Sequence, residues 1–159
     1  MTKKINIYTD GSSIGNPGPG GYGIIMISDN GAYKKELSKG FKLTTNNRME
    51  LLAVIVALES IKIKKSNVEV FTDSKYVSDA VDKEWLFEWE KINFKKKKNP
   101  DLWKRFLLIF REHNVTFTWI KGHNNHPENE RCDYLANSSA KSSNLVSDIY
   151  YEKNIKGLL

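Results

Sequence analysis

The chain uses one short pattern twice, first as Ile5-Asn6-Ile7-Tyr8-Thr9-Asp10-Gly11 and again as Val68-Glu69-Val70-Phe71-Thr72-Asp73-Ser74. In each segment aliphatic residues take one phase of a two-residue alternation and an aspartate closes the other, which is typical of a strand with one buried face. A single aspartate at a strand end is usually a turn residue, but two aspartates at matching positions favour a functional site. If the strands are parallel neighbours, Asp10 and Asp73 emerge on one face at the edge where α/β proteins bind ligands.

The rest of the chain predicts an α/β protein, a mixed sheet with helices on its faces. Turn, cap and periodicity signals give these elements in chain order: strands at Ile5–Asp10, Gly23–Ser28 and Ala32–Phe41, a helix from the cap candidates Thr44–Asn47 to about Ile61, a strand at Val68–Asp73, helices at Ser74–Asp82 and Asp101–Glu112, a strand at Val115–Ile120, and a helix from Pro127 to about Ser139. Residues 85–100 are predicted to be irregular. We expect one domain over residues 1–141, and a tail over residues 142–159 that is weakly ordered or packed on the domain.

Length and composition exclude several classes of protein. The chain has 159 residues, enough for one domain with its own hydrophobic core. Its longest apolar run, Leu51–Leu58, is far shorter than the roughly 20 residues that span a bilayer. Cys132 is the only cysteine, which excludes an internal disulfide and a cysteine-based zinc site. We expect a cytoplasmic protein with no membrane partner, in which Cys132 is packing material rather than a nucleophile.

Positive charge is concentrated in one part of the chain. The net charge is +6, and residues 91–111 hold eight Lys and Arg residues against Asp101 alone, a local charge of +7. The four tryptophans lie in or beside this stretch. Cations that release counterions from phosphates, beside aromatic rings that pack on sugars and bases, are typical of nucleic-acid binding. The alternative is a solvated lysine loop with tryptophans in the core.

Two acids in predicted helices are further candidates. Glu50 directly precedes the run Leu51–Leu58, in a helix buried nearly all round, where a carboxylate is costly unless it is paired or bound to a metal. Alternatively, Glu50 caps the first turn of that helix. Asp133 lies at the edge of the core-facing stripe of the last helix, or is an exposed acid near Arg131. Packed carboxylates need cations to stay ionised, and oxygen-only ligands select Mg²⁺ or Mn²⁺, so acids beside a basic patch suggest a metal-dependent nuclease.

The loop after the fifth predicted strand contains two histidines. His123 follows Lys121-Gly122, where glycine gives mobility, and His126 precedes Pro127. Because imidazole titrates near neutral pH, a loop histidine can shuttle protons near metal ions. We predict that His123 is functional and that His126 is structural; simple exposure of either is the alternative.

Seven short motifs follow one another over about residues 4–140: Tyr8-Thr9-Asp10-Gly11-Ser12, Asn16-Pro17-Gly18, Thr44-Thr45-Asn46-Asn47-Arg48-Met49-Glu50, Thr72-Asp73-Ser74, Asp101-Leu102-Trp103, Lys121-Gly122-His123 and His126-Pro127-Glu128-Asn129-Glu130-Arg131-Cys132-Asp133. Together they closely resemble ribonuclease HI of the bacterial type. Each motif is weak alone, but seven in order are highly specific. The resemblance implies a five-stranded mixed β-sheet, three antiparallel strands then two parallel, flanked by helices, and makes residues 1–141 the catalytic domain.

The resemblance also implies an activity. Members of this family are endonucleases that hydrolyse the RNA strand of RNA–DNA hybrids and leave 3′-hydroxyl and 5′-phosphate ends. Asp10, Glu50, Asp73 and Asp133 match the four metal-binding carboxylates, which implies two-metal-ion catalysis with Mg²⁺, or with Mn²⁺ as a substitute. His123 matches a mobile-loop histidine that assists proton transfer and product release. We expect a monomer whose partner is the hybrid duplex.

Substrate contacts carry over from the same resemblance. Its implied nucleic-acid contacts are Asn16, Asn46 and Asn47 in the minor groove, Thr45 at a DNA phosphate, Trp85 and Trp89 in the DNA-strand channel, and Lys91, Lys95, Lys96, Lys97 and Lys98 in a basic protrusion. The chain departs from the family pattern in two places. The protrusion segment between Trp85 and Trp103 is shorter than in the best-known bacterial form, and Lys75 stands where glutamine is common.

Two other functions remain open from the sequence. Integrases, transposases and exonucleases share this sheet and its acids, and comparison of a hybrid with duplex DNA as substrate separates them from a ribonuclease. A nucleic-acid-binding module with incidental acids would bind in Mg²⁺ without cleaving.

Overall fold

A computed structural model of the chain describes residues 4–122 and 125–156. The described elements are strands β1 (Lys4–Ser13), β2 (Gly18–Ser28), β3 (Tyr33–Thr44), β4 (Asn67–Thr72) and β5 (Asn114–Trp119), and helices α1 (Asn46–Glu59), α2 (Lys75–Asp82), α3 (Trp85–Lys91), α4 (Pro100–Phe110), α5 (Pro127–Ala140) and α6 (Ile149–Lys156). The strands form one sheet in the order β3-β2-β1-β4-β5. β2 is antiparallel to β1 and β3, whereas β4 is parallel to β1 and β5. This confirms the predicted fold class.

The two matched segments are parallel neighbours, which is the condition for Asp10 and Asp73 to meet at one edge. β1 and β4 pair in a register that sets Ile7 opposite Val70 and Tyr8 opposite Phe71. The rings of Tyr8 and Phe71 stack with their centres 4.7 Å apart. Asp10 follows Tyr8 by two residues and Asp73 follows Phe71 by two residues, so the two aspartates reach the same edge of the sheet.

Helices α1 and α5 pack on opposite faces of the sheet, and glycines in β2 let them approach closely. A Cβ atom on Gly20 would lie 3.2 Å from Met49 of α1, whereas one on its neighbour Gly21 would lie 2.6 Å from the carbonyl oxygen of Ala136 in α5. Successive strand residues point to opposite faces of the sheet, so Gly20 permits the close approach of α1 and Gly21 that of α5. These close contacts bring acids on both helices toward the strands.

Helix α1 begins after Thr45, whose Oγ1 accepts a hydrogen bond from the N–H of Arg48 at 3.2 Å. Glu50 is therefore the fifth helical residue, and it does not cap the first turn. The residues from Arg48 to Ile55 are all buried, because α1 lies between the sheet and α4. The described helices include none that is long and apolar enough to cross a membrane.

The prediction of an irregular segment at residues 85–100 is wrong in its first half. Residues Trp85–Lys91 form helix α3, and Leu86 is fully buried. The residue before the helix, Glu84, is in the left-handed region at φ 61° and makes no capping hydrogen bond with its side chain. The usual helix start signal is thus absent, because burial of Leu86 rather than a cap stabilises this helix.

The residues after Ala140 contain structure that the sequence pattern does not indicate. The N–H of Lys42 in β3 donates to the carbonyl oxygen of Val146 at 2.8 Å, and the N–H of Val146 donates to that of Gly40 at 3.1 Å. Asp148 is buried, and its Oδ1 accepts a hydrogen bond from the N–H of Tyr151 in the first turn of α6. Helix α6 thus starts at a side chain that is held by tertiary contacts.

A buried arginine connects this C-terminal segment to the rest of the protein. Arg48 is 2% exposed, and its Nε and Nη2 atoms donate to Asp148 at 2.7 and 2.9 Å. Its Nη1 and Nη2 atoms also make a bidentate interaction with the carboxylate of Asp101, at 2.9 and 2.8 Å. Thr44 also donates to Asp148 at 2.7 Å. One guanidinium group therefore joins the N-termini of α1 and α4 to the C-terminal segment.

Removal of Asp148 tests this connection. Asp148→Ala is expected to lower the free energy of unfolding by about 3 kcal/mol, because it leaves a buried guanidinium with half of its partners. Glu59→Gln is the control, since it breaks a two-pronged contact with Arg105 on the exposed side of the protein and should cost no more than about 1 kcal/mol. Urea denaturation of the two variants measures the difference. Equal losses would show that Asp148 does not anchor the segment.

Candidate active site

Three carboxyl groups meet at the edge of the sheet where β1 and β4 end. Among the described residues, carboxylate oxygens of Asp10, Glu50 and Asp73 all lie within 4.8 Å of one another. Asp10 and Glu50 are 6% and 4% exposed, and Asp73 is half-buried. A residue of β1, a residue of α1 and the residue directly after β4, up to 63 positions apart in the chain, therefore form one acidic cluster. The sequence prediction for these three residues agrees with this arrangement.

Gly11 explains why a helix residue can reach the end of β1. A Cβ atom at this position would collide with the backbone nitrogen of Glu50 and with Met49, so only glycine permits α1 to pass so close. The Gly11 N–H lies 2.9 Å from Asp10 Oδ1 and 3.0 Å from Glu50 Oε1, which both accept from it. One backbone donor thus holds two carboxylates side by side.

Burial and mutual repulsion raise the pKa values of two carboxyl groups in the cluster, Asp10 and Glu50. Burial, the largest cause, together with the negative charges of Asp73 and Asp133, raises the pKa of Asp10 from 3.8 to about 7, while the interaction with Glu50 acts in the opposite direction. Burial and the charges of Asp10 and Asp73 also raise the pKa of Glu50 well above its usual value, against the lowering effect of the Gly11 N–H. Without a cation, these acids share protons rather than carrying full charge.

The donor set fits a hard divalent cation. The ligand atoms available are all carboxylate oxygens, which Mg²⁺ and Mn²⁺ prefer over nitrogen or sulfur. Glu50 Oε2 is buried and has no hydrogen-bond partner among the described residues. An unpaired buried oxygen beside two further acids is costly unless a positive charge compensates it. Asp10, Glu50 and Asp73 can therefore hold a metal ion.

Asp133 lines the same cavity as the other three acids. The cavity has a volume of about 400 Å³. Asp133 is half-buried on α5, and its Oδ1 accepts a hydrogen bond from the side chain of Asn137 at 3.2 Å. A Cβ atom on Gly23 would meet the carbonyl oxygen of Cys132, so close packing of α5 on β2 brings Asp133 to the sheet edge. All four predicted acids border one space.

Residues near the acids differ in what the structure describes. His123 lies outside the described residues. Gly122 approaches Asp73 so closely that a Cβ atom there would lie 2.8 Å from Oδ2. His126 is the residue before α5 and makes no capping hydrogen bond with its side chain. Cys132 is fully buried, and burial raises the pKa of its thiol far above the usual value, so it is packing material.

The polar residues expected at the minor groove lie beside the acids. Asn46 and Asn47 are exposed at the start of α1 and line the cavity. Asn16 Oδ1 accepts a hydrogen bond from the Asn46 N–H at 3.1 Å, so the loop before β2 joins the same rim. Thr45, one of the predicted cap candidates, is the capping residue of α1.

The basic patch is smaller than the sequence suggests. Lys91, Arg105 and Arg111 form ion pairs with acids that lie outside residues 91–111, at 3.0, 2.6 and 2.6 Å. The remaining exposed cations are Lys95, Lys96, Lys97, Lys98 and Lys104. Local charge counting misses these pairs because the acids come from α1 and α3.

The tryptophans also divide into two groups. Trp103 is fully buried, which contradicts its grouping with exposed rings, and Trp89 packs against it with ring centres 5.8 Å apart. Trp85 and Trp119 are 46% and 44% exposed. Lys97 Nζ lies 5.5 Å from the centre of the Trp89 ring, so one lysine of the basic run is held against an aromatic surface.

Sequence reasoning missed two residues near the acids. Tyr76 lines the cavity, and its hydroxyl oxygen accepts hydrogen bonds from Asn99 and Trp103, both at 2.9 Å. Ser74 caps α2 directly after Asp73 and also borders the cavity. Both residues follow Asp73 closely in the sequence, which could have pointed to them. The sequence does not indicate that α2 faces the acids, however.

Comparison with known proteins identifies the family. The family model described as RNase H matches residues 2–141. A ribonuclease H of Desulforamulus reducens is 53% identical over 152 residues, covering 92% of this chain and 94% of the relative.

Two solved structures are similar to the chain. LC9-RNase H1, a type 1 RNase H with the type 2 active-site motif, superposes with a TM-score of 0.80 at 32% identity, over 88% of this chain and 73% of that one. LC11-RNase H1, solved in complex with an RNA/DNA hybrid, has a TM-score of 0.65 at 31% identity, over 86% of this chain and 96% of that one. With this sequence identity, fold and acidic cluster, the chain belongs to the ribonuclease H family of metal-dependent nucleases.

Proposed function

We propose that this protein is an endonuclease that hydrolyses the RNA strand of RNA–DNA hybrids and leaves 3′-hydroxyl and 5′-phosphate ends. The observation that carries the proposal is the buried cluster of Asp10, Glu50 and Asp73 at one sheet edge. A cluster of this kind has little structural use, because it raises the pKa of its own members. The family membership and the hybrid bound to LC11-RNase H1 support the choice of substrate.

Two Mg²⁺ ions, or Mn²⁺ as a substitute, are the proposed cofactors. Asp10, Glu50, Asp73 and Asp133 would hold them. When bound, the ions supply the activation of a water nucleophile and the stabilisation of charge on the departing 3′-oxygen. The protein supplies the alignment, since Gly11 orients Asp10 and Glu50 through a single N–H group.

The rim of the cavity has the chemistry to recognise an RNA strand. Asn46 and Asn47 present amide groups that both donate and accept hydrogen bonds, and Asn16 is tied to Asn46. Such groups suit the 2′-hydroxyls and base edges in a wide, shallow minor groove. We assign the minor-groove contacts to these three residues. Thr45 is assigned to a phosphate of the DNA strand, and His123 to proton transfer.

The DNA strand is assigned to the basic side of the protein. Trp85 offers an exposed ring, and Lys95–Lys98 form an exposed run after α3. Trp89 is half-buried against Trp103, and the exposed Lys91 pairs with Glu88, so we expect smaller contributions from these two residues. Aromatic rings and lysines together suit a strand whose sequence is not read.

We also propose a cytoplasmic monomer with its catalytic domain at residues 1–141. One chain supplies all four acids of the cavity, so the proposed site needs no residue from a second copy. The buried thiol of Cys132 suits a reducing compartment. Residues 142–159 are proposed to be a tail packed on the domain, which Asp148 and Val146 support through their contacts with Arg48 and β3.

Asp10→Asn and Asp73→Asn test the metal ligands. Each is expected to lower kcat for a labelled RNA–DNA hybrid in Mg²⁺ by about 10²-fold or more, because each removes a charged ligand. Binding of the hybrid should survive or strengthen, because a negative charge beside the phosphates is lost. Glu69→Gln is the control; this acid lies on β4 and pairs with Lys4 at 3.0 Å. Near-normal turnover by either variant would refute the assignment, and a chelator should stop the wild-type reaction.

The raised pKa of Asp10 predicts a pH dependence of stability in the metal-free protein. Since the folded pKa is about 7 and the usual value is 3.8, the unfolded chain releases this proton first, and stability falls between about pH 4 and pH 7. In EDTA, Asp10→Asn should therefore become progressively more stable than the wild type over this range, by roughly 2–4 kcal/mol in total. Above pH 7 the difference should stay constant.

Glu69→Gln gives the opposite sign in the same experiment. Hydrogen bonds from Thr118 and Lys4 lower the pKa of Glu69, so its contribution to stability is present at neutral pH and is lost in acid. Chemical denaturation at several pH values measures both trends. A difference between Asp10→Asn and wild type that does not change with pH would contradict the shared-proton description of the cluster.

Neutralisation of Lys95–Lys98 to glutamine tests the basic segment. The change is expected to raise KM for the hybrid and to flatten its dependence on salt, because fewer counterions are released on binding. The value of kcat should change less, since the segment lies apart from the acids. Steady-state kinetics from 50 to about 200 mM KCl provide the measurement. An unchanged salt dependence would place the run away from the substrate.

A further inference from the structure

Lys75 is a cation on the rim of the acidic cavity that the proposed function does not use. It is the first residue of α2, two positions after Asp73, and its side chain is exposed. It lines the same cavity as Asp10 and Glu50. The sequence resemblance gives it no role, because glutamine is common at this position.

The ammonium group of Lys75 rests on an aromatic ring rather than on a carboxylate. Its Nζ lies 4.8 Å from the centre of the Trp119 ring. Lys4, Lys83 and Lys91 differ, since each lies within 4.0 Å of a carboxylate oxygen. A ring attracts a cation more weakly than an ion pair does and leaves its positive charge uncancelled.

Trp119 is held in a position that keeps this cation at the cavity. Its indole N–H donates a hydrogen bond to the backbone oxygen of Asp73 at 3.0 Å, and the ring is 44% exposed. The tryptophan at the end of β5 is thereby tied to the strand end that carries an acid of the cluster.

We propose that Lys75 binds a backbone phosphate of the nucleic acid next to the scissile one. The inference rests on the proposed function, since it requires a nucleic acid in the cavity. A phosphate that approaches four acids is repelled until cations compensate, and a lysine on the rim supplies one such charge. The ammonium moves from the face of Trp119 to a phosphate oxygen, where a charge-assisted hydrogen bond forms. Lys75 is thus a substrate-binding residue.

The test measures the salt dependence of hybrid binding without cleavage. Fluorescence anisotropy in EDTA gives the Kd of a labelled RNA–DNA hybrid over a series of KCl concentrations, for wild type, Lys75→Gln, Lys75→Arg and Lys64→Gln. Lys64 is the matched control, because it is an exposed lysine in the loop before β4, at the opposite end of that strand from Asp73. All three changes are at exposed positions, so folding should be retained.

The expected result is specific to charge at one position. Lys75→Gln should weaken binding several-fold and reduce the slope of log Kd against log salt by about 0.9, the effect of one lost phosphate contact. Lys75→Arg should restore the slope, and Lys64→Gln should leave it unchanged. An unchanged slope for Lys75→Gln, or an equal reduction for Lys64→Gln, would overturn the proposal.

Two parallel measurements separate the possible failures. If Lys75→Gln changes the Mg²⁺ affinity in calorimetry but not the salt slope, Lys75 acts on the metal ions and the proposal is wrong. If the wild type neither binds nor cleaves the hybrid in Mg²⁺, the proposed function fails and the role of Lys75 fails with it. If the wild type cleaves normally and only the slope prediction fails, the error concerns Lys75 alone.

Discussion

The mutual repulsion of buried carboxylates is the constraint on which the rest of this structure depends. Asp10, Glu50 and Asp73 share a space less than 5 Å across, and burial alone favours their protonated forms. The fold keeps them together through two strand ends, a glycine and a helix that is buried nearly all round. Such an arrangement is stable only because the surrounding core compensates its cost. The same repulsion makes the cluster receptive to divalent cations.

The cations of the protein differ in how far their partners compensate their positive charge. Arg48 is buried and paired with both Asp101 and Asp148, and it connects α1 to α4 and to the C-terminal segment. Lys91, Arg105 and Arg111 form ion pairs with acids on the surface of the protein. Lys75 and Lys97 rest on aromatic rings, which leave their charge available. The availability of a cation for nucleic acid thus depends on its partner, and a count of lysines does not reveal it.

The Arg48 contacts also link the C-terminal segment to the rim of the cavity. Arg48 lies two residues from Asn46 and two residues from Glu50 on α1, and it contacts Asp148, which precedes α6. The rings of Tyr150 and Tyr151 lie 5.5 and 5.8 Å from its guanidinium carbon. The segment beyond the region matched by the family model is therefore in contact with the helix that carries Glu50.

The sequence by itself determined the two matched strands, the fold class and the acids at the strand ends, whereas the parallel pairing of the strands was a condition that the structure met. These follow from local patterns, because a two-residue alternation that closes on an aspartate specifies both the buried face and the edge. Short motifs in a fixed order then indicated the family. Sequence patterns did not indicate α3 or α6, because Leu86 and Asp148 stabilise these helices through contacts with distant residues.

Only the tertiary structure decided which charges are free, which tryptophans are exposed and how close the acids lie. Ion pairs such as Arg105 with Glu59 join residues 46 positions apart, and the approach of α1 to β1 depends on Gly11 having no side chain. Periodicity describes one element at a time. Distances between side chains of different elements depend on how those elements pack, which is a property of the whole chain.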